Sequence, residues 1–74
     1  MEKEQFLEFI DVAIETGRGI KVEIKMPDLP SPEFITNPNE NLEGKRAYYD
    51  KAYDDDLKLK TFDQIQIVGI SLFK

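Results

Sequence analysis

Cysteine and histidine are both absent from this 74-residue chain. Without cysteine no disulfide or thiolate-bound metal can supplement the core, and there is no thiol nucleophile. Without histidine the commonest general acid–base residue is missing, and zinc sites built from His or Cys are excluded. Ser31 and Ser71 therefore have no imidazole to activate them. Glycine is also scarce, with four residues in all, and Gly17-Arg18-Gly19 lacks the spacing of either phosphate-binding loop. It leads into a strand pattern, whereas those loops open a helix. What remains is carboxylate–lysine or carboxylate–metal chemistry in a chain with little volume for a pocket. The expectation is a protein that is not an enzyme and carries no cofactor.

Long apolar runs are missing too. None approaches the ~20 residues that a membrane-spanning helix needs. The opening MEKEQFLEF has neither the basic start nor the apolar centre of a signal peptide. These features, with the lack of cysteine, point to a reducing cytoplasm and no membrane partner. Positive charge is in deficit: 15 acidic residues stand against 10 basic ones, for a net charge of −5. A duplex-DNA binder needs the opposite balance, because neutralising phosphates drives its affinity, so direct nucleic-acid binding is not expected.

What is present suffices for one small domain, residues 1–74. At 41% hydrophobic residues a core can form, although a chain of this size hides only about 60% of its unfolded surface. Residues 2–16 have the helical period: Phe6, Leu7, Ile10, Ala13 and Ile14 share a stripe, and Gly17 is placed to end it in the left-handed conformation. Residues 19–26 alternate strictly, with Ile20, Val22, Ile24 and Met26 on one face and Lys21, Glu23 and Lys25 on the other. Pro27 stops that strand, and the proline-rich residues 28–32 cannot join a central ladder. Residues 33–36 form a second strand, antiparallel to the first.

Asn37-Pro38-Asn39-Glu40 carries a helix-start pattern, with Asn37 as cap, Pro38 at the first helical position and Glu40 reaching back. The helix that follows places Leu42, Tyr49, Ala52 and Tyr53 on one side and should finish near Tyr53 or Asp54. Residues 57–60 are either an irregular return or a short edge segment. Residues 64–73 form the last strand, whose alternation breaks at Gly69. A bulge at Val68-Gly69 would bring Ile65, Ile67, Ile70 and Leu72 to one side. A regular strand would instead leave both faces apolar. The elements read α-β-β-α-β. A right-handed crossover gives a two-layer α+β fold: a three-stranded antiparallel sheet in the order 2-1-3, with two helices on one face.

Two surface features stand out. Glu4, Glu8, Asp11 and Glu15 line one ridge of the first helix, about 16 Å long at the helical rise. Like charges at this spacing disfavour a helix by ~0.2–0.5 kcal/mol per pair. The ridge is either a solvated face or an acidic strip for a basic partner. The second feature is YYDKAYDDDL, where Tyr48, Tyr49 and Tyr53 run into Asp54, Asp55 and Asp56. Carboxylates are misplaced at a helix C-terminus, so the cluster first reads as a helix end, with an aspartate free to take the left-handed cap conformation. A cation site fits poorly, since calcium loops alternate ligands with spacers and need a glycine. A third reading joins the cluster and Tyr48 to the ridge as one partner-facing surface.

Gly19-Ile20-Lys21-Val22, Met26-Pro27, Asn37-Pro38, Tyr48-Tyr49 with Lys51-Ala52-Tyr53-Asp54, and Ile67-Val68-Gly69 resemble small uncharacterised proteins of phages and prophages of Gram-positive bacteria. That resemblance implies a short accessory or inhibitor protein acting in a host cytoplasm through a protein partner. The expected function is thus non-enzymatic protein binding, to a basic or nucleic-acid-handling partner, through Glu4, Glu8, Asp11, Glu15, Tyr48, Asp54, Asp55 and Asp56. The alternative is a self-assembling subunit, most simply a two-fold dimer, joined through Val68 together with Ile70 and Leu72. If Gly69 bulges, Val68 alone is the central contact.

Overall fold

The computed structural model describes residues 1–28, 33–37 and 41–73. Helix α1 spans Lys3–Thr16 and is entered at Glu2, whose backbone N–H donates to the Gln5 side chain at 3.3 Å. Gly17 ends it as expected, left-handed at φ 69°. The Arg18 N–H returns to the Ala13 carbonyl at 2.9 Å and the Gly17 N–H to Ile14 at 3.2 Å, which satisfies carbonyls the helix would leave open.

Strands β1 (Gly19–Lys25) and β2 (Glu33–Asn37) pair antiparallel, with Ile20 opposite Asn37 and Ile24 opposite Glu33. Helix α2 covers Leu42–Ala52. A two-residue strand β3 (Lys58–Leu59) precedes the long β4 (Phe62–Phe73). The sheet order is β2-β1-β4-β3 and every pairing is antiparallel. The fold is therefore α+β with the three expected strands in the expected order, and β3 adds a short edge beside β4. Among the described residues one core cluster joins Phe6, Ile10 and Ala13 of α1, Leu42 and Tyr49 of α2, and Ile20, Val22, Ile24 and Ile67 of the sheet. Both helices thus cover one sheet face. Phe6 and Tyr49 meet edge to face at 5.0 Å, tying α1 to α2.

The break at Gly69 is a bulge. Glu23 pairs with Gly69 and Ile24 with Ile67, so Val68 is the extra residue on β4. Beyond it, Ile70 stands opposite Val22 and Leu72 opposite Ile20, on the core face. Without that residue, half of β4 would turn its apolar side chains to solvent.

Two expectations about α2 are corrected. Its cap is Asn41, not Asn37: the Asn41 side chain accepts from the backbone N–H of Glu43 at 3.1 Å and of Gly44 at 3.5 Å. Asn37 is instead the last residue of β2, and Pro38 and Glu40 lie outside the described residues. Starting at Asn41 places Leu42 and Tyr49 in the core, and that burial outweighs the small difference between two asparagine caps. At the other end, Tyr53 is extended at φ −114°, and no aspartate turns left-handed. That conformation belongs to Leu57, at φ 62°.

Candidate functional site

The ridge of α1 is exposed along its whole length, as Glu4, Glu8, Asp11 and Glu15 all face solvent. Its charge is not uniform. The Arg46 guanidinium of α2 reaches across to Asp11, with Nε 2.6 Å from Oδ1 and Nη2 3.4 Å from Oδ2. Asp11 is thereby spent on an interhelical pair, and the ridge carries a cation in its middle. Such an exposed pair contributes at most about 1 kcal/mol to stability. Its larger effect is on the pattern of the surface.

The three aspartates separate in role. Asp54 belongs to the fold, for its carboxylate accepts the backbone N–H of Asp56 at 2.9 Å and of Lys58 at 3.0 Å. Its carbonyl accepts from Leu57 at 3.0 Å, while its own N–H donates to the Lys58 carbonyl at 2.9 Å. This closed turn explains why the helix stops here without glycine: each polar group of Asp54 already has a backbone partner. Asp55 and Asp56 remain exposed. The Lys3 N–H donates to the Asp55 carbonyl at 3.3 Å, and Glu2, Lys3, Glu4, Asp55 and Asp56 line one shallow depression. The turn after α2 therefore joins the N-terminal end of the ridge. No group of three or more acidic side chains converges on a cation position among the described residues.

Lys3 is the residue that makes this junction, and nothing in its local sequence announces it. Its ammonium donates to the carbonyls of Asp50 and Tyr53, the latter at 3.0 Å, and lies 3.2 Å from the Asp50 carboxylate. It offsets the charge that the aspartates place at the α2 C-terminus. Tyr48 is half exposed and lies edge-on to Tyr49 at 5.4 Å, with the Lys45 ammonium 5.7 Å from its ring. Its ring also lies edge-on to Tyr53, at 6.3 Å. Tyr53 is buried, and that burial, with Tyr48 adding to it, raises its hydroxyl above the ordinary pKa of 10.0.

On the other side of the fold the bulge decides what β4 presents. Ile70 and Leu72 pack toward the core, which removes both from any outward-facing patch. Val68 stays outside, 39% exposed. Around it the open face carries Lys21, Glu23 and Lys25 of β1 and, opposite Gln66, Lys58 of β3. One more exposed apolar side chain is Val12 on α1, at 47%. It lies four residues from Glu8 and three from Glu15, and was legible as an aliphatic residue off the buried stripe.

Comparison with family models, with curated proteins and with solved structures finds no match.

Proposed function

We propose that this chain is a non-enzymatic protein-interaction module whose acidic α1 face engages a basic surface of another protein. The observation that carries the reading is the docking of the Asp55-Asp56 turn against Glu2, Lys3 and Glu4. It adds two carboxylates to the N-terminal end of the ridge formed by Glu4, Glu8 and Glu15. Val12 supplies an apolar contact beside that ridge, the arrangement of an interface with a charged rim. In this reading the chain is a cytoplasmic accessory or inhibitor protein of the kind phages encode. A nucleic-acid-handling protein is the partner whose basic surface would fit best.

The test is capture of a partner from lysate on the immobilised chain at low and high salt. Binding is expected to fall as the Debye length shrinks from about 10 Å at 0.1 M to about 3 Å at 1 M salt. Changing Glu4, Glu8 and Glu15 together to lysine should abolish it. A partner held equally well by that variant would refute the reading.

A further inference from the structure

On the side away from β1, strand β4 is flanked along only part of its length. Its register toward β3 sets Leu59 opposite Phe62 and Lys58 opposite Gln66, and the Ile67 N–H donates to the Leu57 carbonyl at 3.0 Å. Among the described residues no backbone bond reaches residues 68–73 from that side. We propose that this free edge pairs with the same edge of a second copy, antiparallel, across a two-fold axis at Ser71.

The backbone directions state what the edge requires. Residues directly opposite in an antiparallel pair aim their N–H and C=O groups at each other or both away. Ile67 gives its N–H to Leu57, so Ile67 and its opposite, Ile24, aim away from each other. The alternation along β1 puts Val22 and Ile20 in the same state, and with them their opposites Ile70 and Leu72. The N–H and C=O groups of Ile70 and Leu72 thus point out of the sheet edge, where another extended chain completes them. The core is open at the same place. Ile20 and Val22 are 0% exposed, whereas Ile70 and Leu72 opposite them are only partly buried.

This edge is complementary to itself. With the axis at Ser71, Ile70 of one copy stands opposite Leu72 of the other and exchanges both backbone bonds with it. Leu72 does the same with Ile70. Their side chains meet on the core side, each covering what the other fold leaves open, and Ser71 meets Ser71 on the outer face. None of residues 68–73 is charged, so copies of net charge −5 bring no like charges together along the seam. The other edges are guarded: β3 is two residues long and carries Lys58, and β2 opens on Glu33. Both copies keep their helices on one side of a continuous sheet, and the contact closes at two copies. It draws on no acidic residue of α1, so it stands apart from the proposed function.

Salt separates the two. Dimerisation should strengthen from 0.01 M, where the Debye length is about 30 Å, to 0.15 M, where it is about 8 Å, because repulsion between the copies is screened. Capture of a basic partner should weaken over the same range. Sedimentation equilibrium of the full chain, up to millimolar protein, should show a dimer and nothing larger. Ser71→Glu faces Lys21 within its own chain, but it sets two carboxylates against each other at the axis. It should weaken dimerisation about tenfold or more.

Cysteine crosslinking tests the register, since the chain has no cysteine of its own. Facing residues in a non-hydrogen-bonded pair lie about 4.5 Å apart between Cα atoms, within the range of a disulfide. Val68 is also exposed, but at the rise of a strand it lies about 20 Å from the Val68 of the other copy. Ser71→Cys should therefore form a covalent dimer under mild oxidation at least about tenfold faster than Val68→Cys. Circular dichroism establishes that the variants are folded; should Ser71→Glu unfold, the two cysteine variants decide. A chain monomeric at every salt concentration overturns the proposal, as does equal crosslinking at the two positions or a dimer that folded Ser71→Glu leaves unchanged. A monomer that still captures a basic partner would overturn the pairing and leave the proposed function standing.

Discussion

Each helix is followed by one residue in the left-handed conformation, and the two are chemically opposite. Gly17, at φ 69°, follows α1 and has open space around it. Leu57, at φ 62°, comes in the turn after α2 and is completely buried. Glycine takes this conformation freely, whereas a leucine is strained by about 1–2 kcal/mol. The strain is held because Leu57 fills the core while its carbonyl accepts the Ile67 N–H at 3.0 Å. The first helix end is thus made by local chemistry. The second is made by burial, by the Asp54 turn and by Lys3, which reaches it from the start of α1. A local signal can end a helix alone; a tertiary one needs the whole domain folded around it.

The largest expected effect tests this at Leu57. Leu57→Ala should cost about 2–5 kcal/mol, a large part of the stability of so small a domain. Leu57→Gly removes the same core contacts but also removes the strain. It should therefore be no less stable than Leu57→Ala, although glycine ordinarily costs about 1 kcal/mol against alanine. Denaturant midpoints measure both; a glycine variant clearly below the alanine one would mean that the left-handed strain at Leu57 is absent.

Next in size is the charge that holds the second helix end. Lys3→Met keeps the aliphatic stem but loses the ammonium, leaving the Asp50 and Tyr53 carbonyls without it, for a loss of about 1–3 kcal/mol. Gly17→Ala should cost about 1–2 kcal/mol, all of it backbone strain, since the added methyl meets nothing. Hydrogen exchange separates the two. Lys3→Met should loosen the amides of Ala52 to Lys58, far along the chain, and Gly17→Ala only those around the end of α1. Equal loosening at both ends in both variants would erase the distinction between a local and a tertiary stop.

The smallest effect is on the alkaline side. Burial raises the Tyr53 pKa in the folded chain above its ordinary 10.0. The neutral phenol is therefore favoured by folding, and its contribution is fully present below the unfolded value of about 10. It is lost as pH rises through the higher folded value. Stability should accordingly decline above about pH 10, and Tyr53→Phe should flatten that decline. An unchanged alkaline slope in Tyr53→Phe would show that other groups are responsible.

The candidate site was legible where its members share one element. The spacing of Glu4, Glu8, Asp11 and Glu15 places them on one ridge whatever surrounds the helix, and the structure has them all exposed. What that spacing could not reveal is Arg46, which changes the pattern from the other helix, 35 residues away. The aspartate cluster was visible as a cluster, but its division into a turn-forming Asp54 and an exposed Asp55-Asp56 depends on which backbone amides come within reach. Val68 was legible as outward with or without a bulge, whereas the side taken by Ile70 and Leu72 depended on the bulge being present. Ile70 and Leu72 turned inward once that condition held.

By itself the sequence determined the stripe of α1 and its stop at Gly17, the alternation of β1, and the break in period at Gly69. Each is a matter of residue spacing against a fixed backbone repeat, decided within a few residues. The tertiary structure alone decided which asparagine starts α2, which residue turns left-handed after it, and whether a bulge at Val68 turns Ile70 and Leu72 inward. In those places the local alternatives differ by little, from under about 1 kcal/mol between two asparagine caps to about 1–2 kcal/mol for a left-handed leucine. Burying Leu42, Tyr49, Leu57 or Ile67 is worth about 1.5–3 kcal/mol for each side chain. Where the local preference is the smaller quantity, packing chooses.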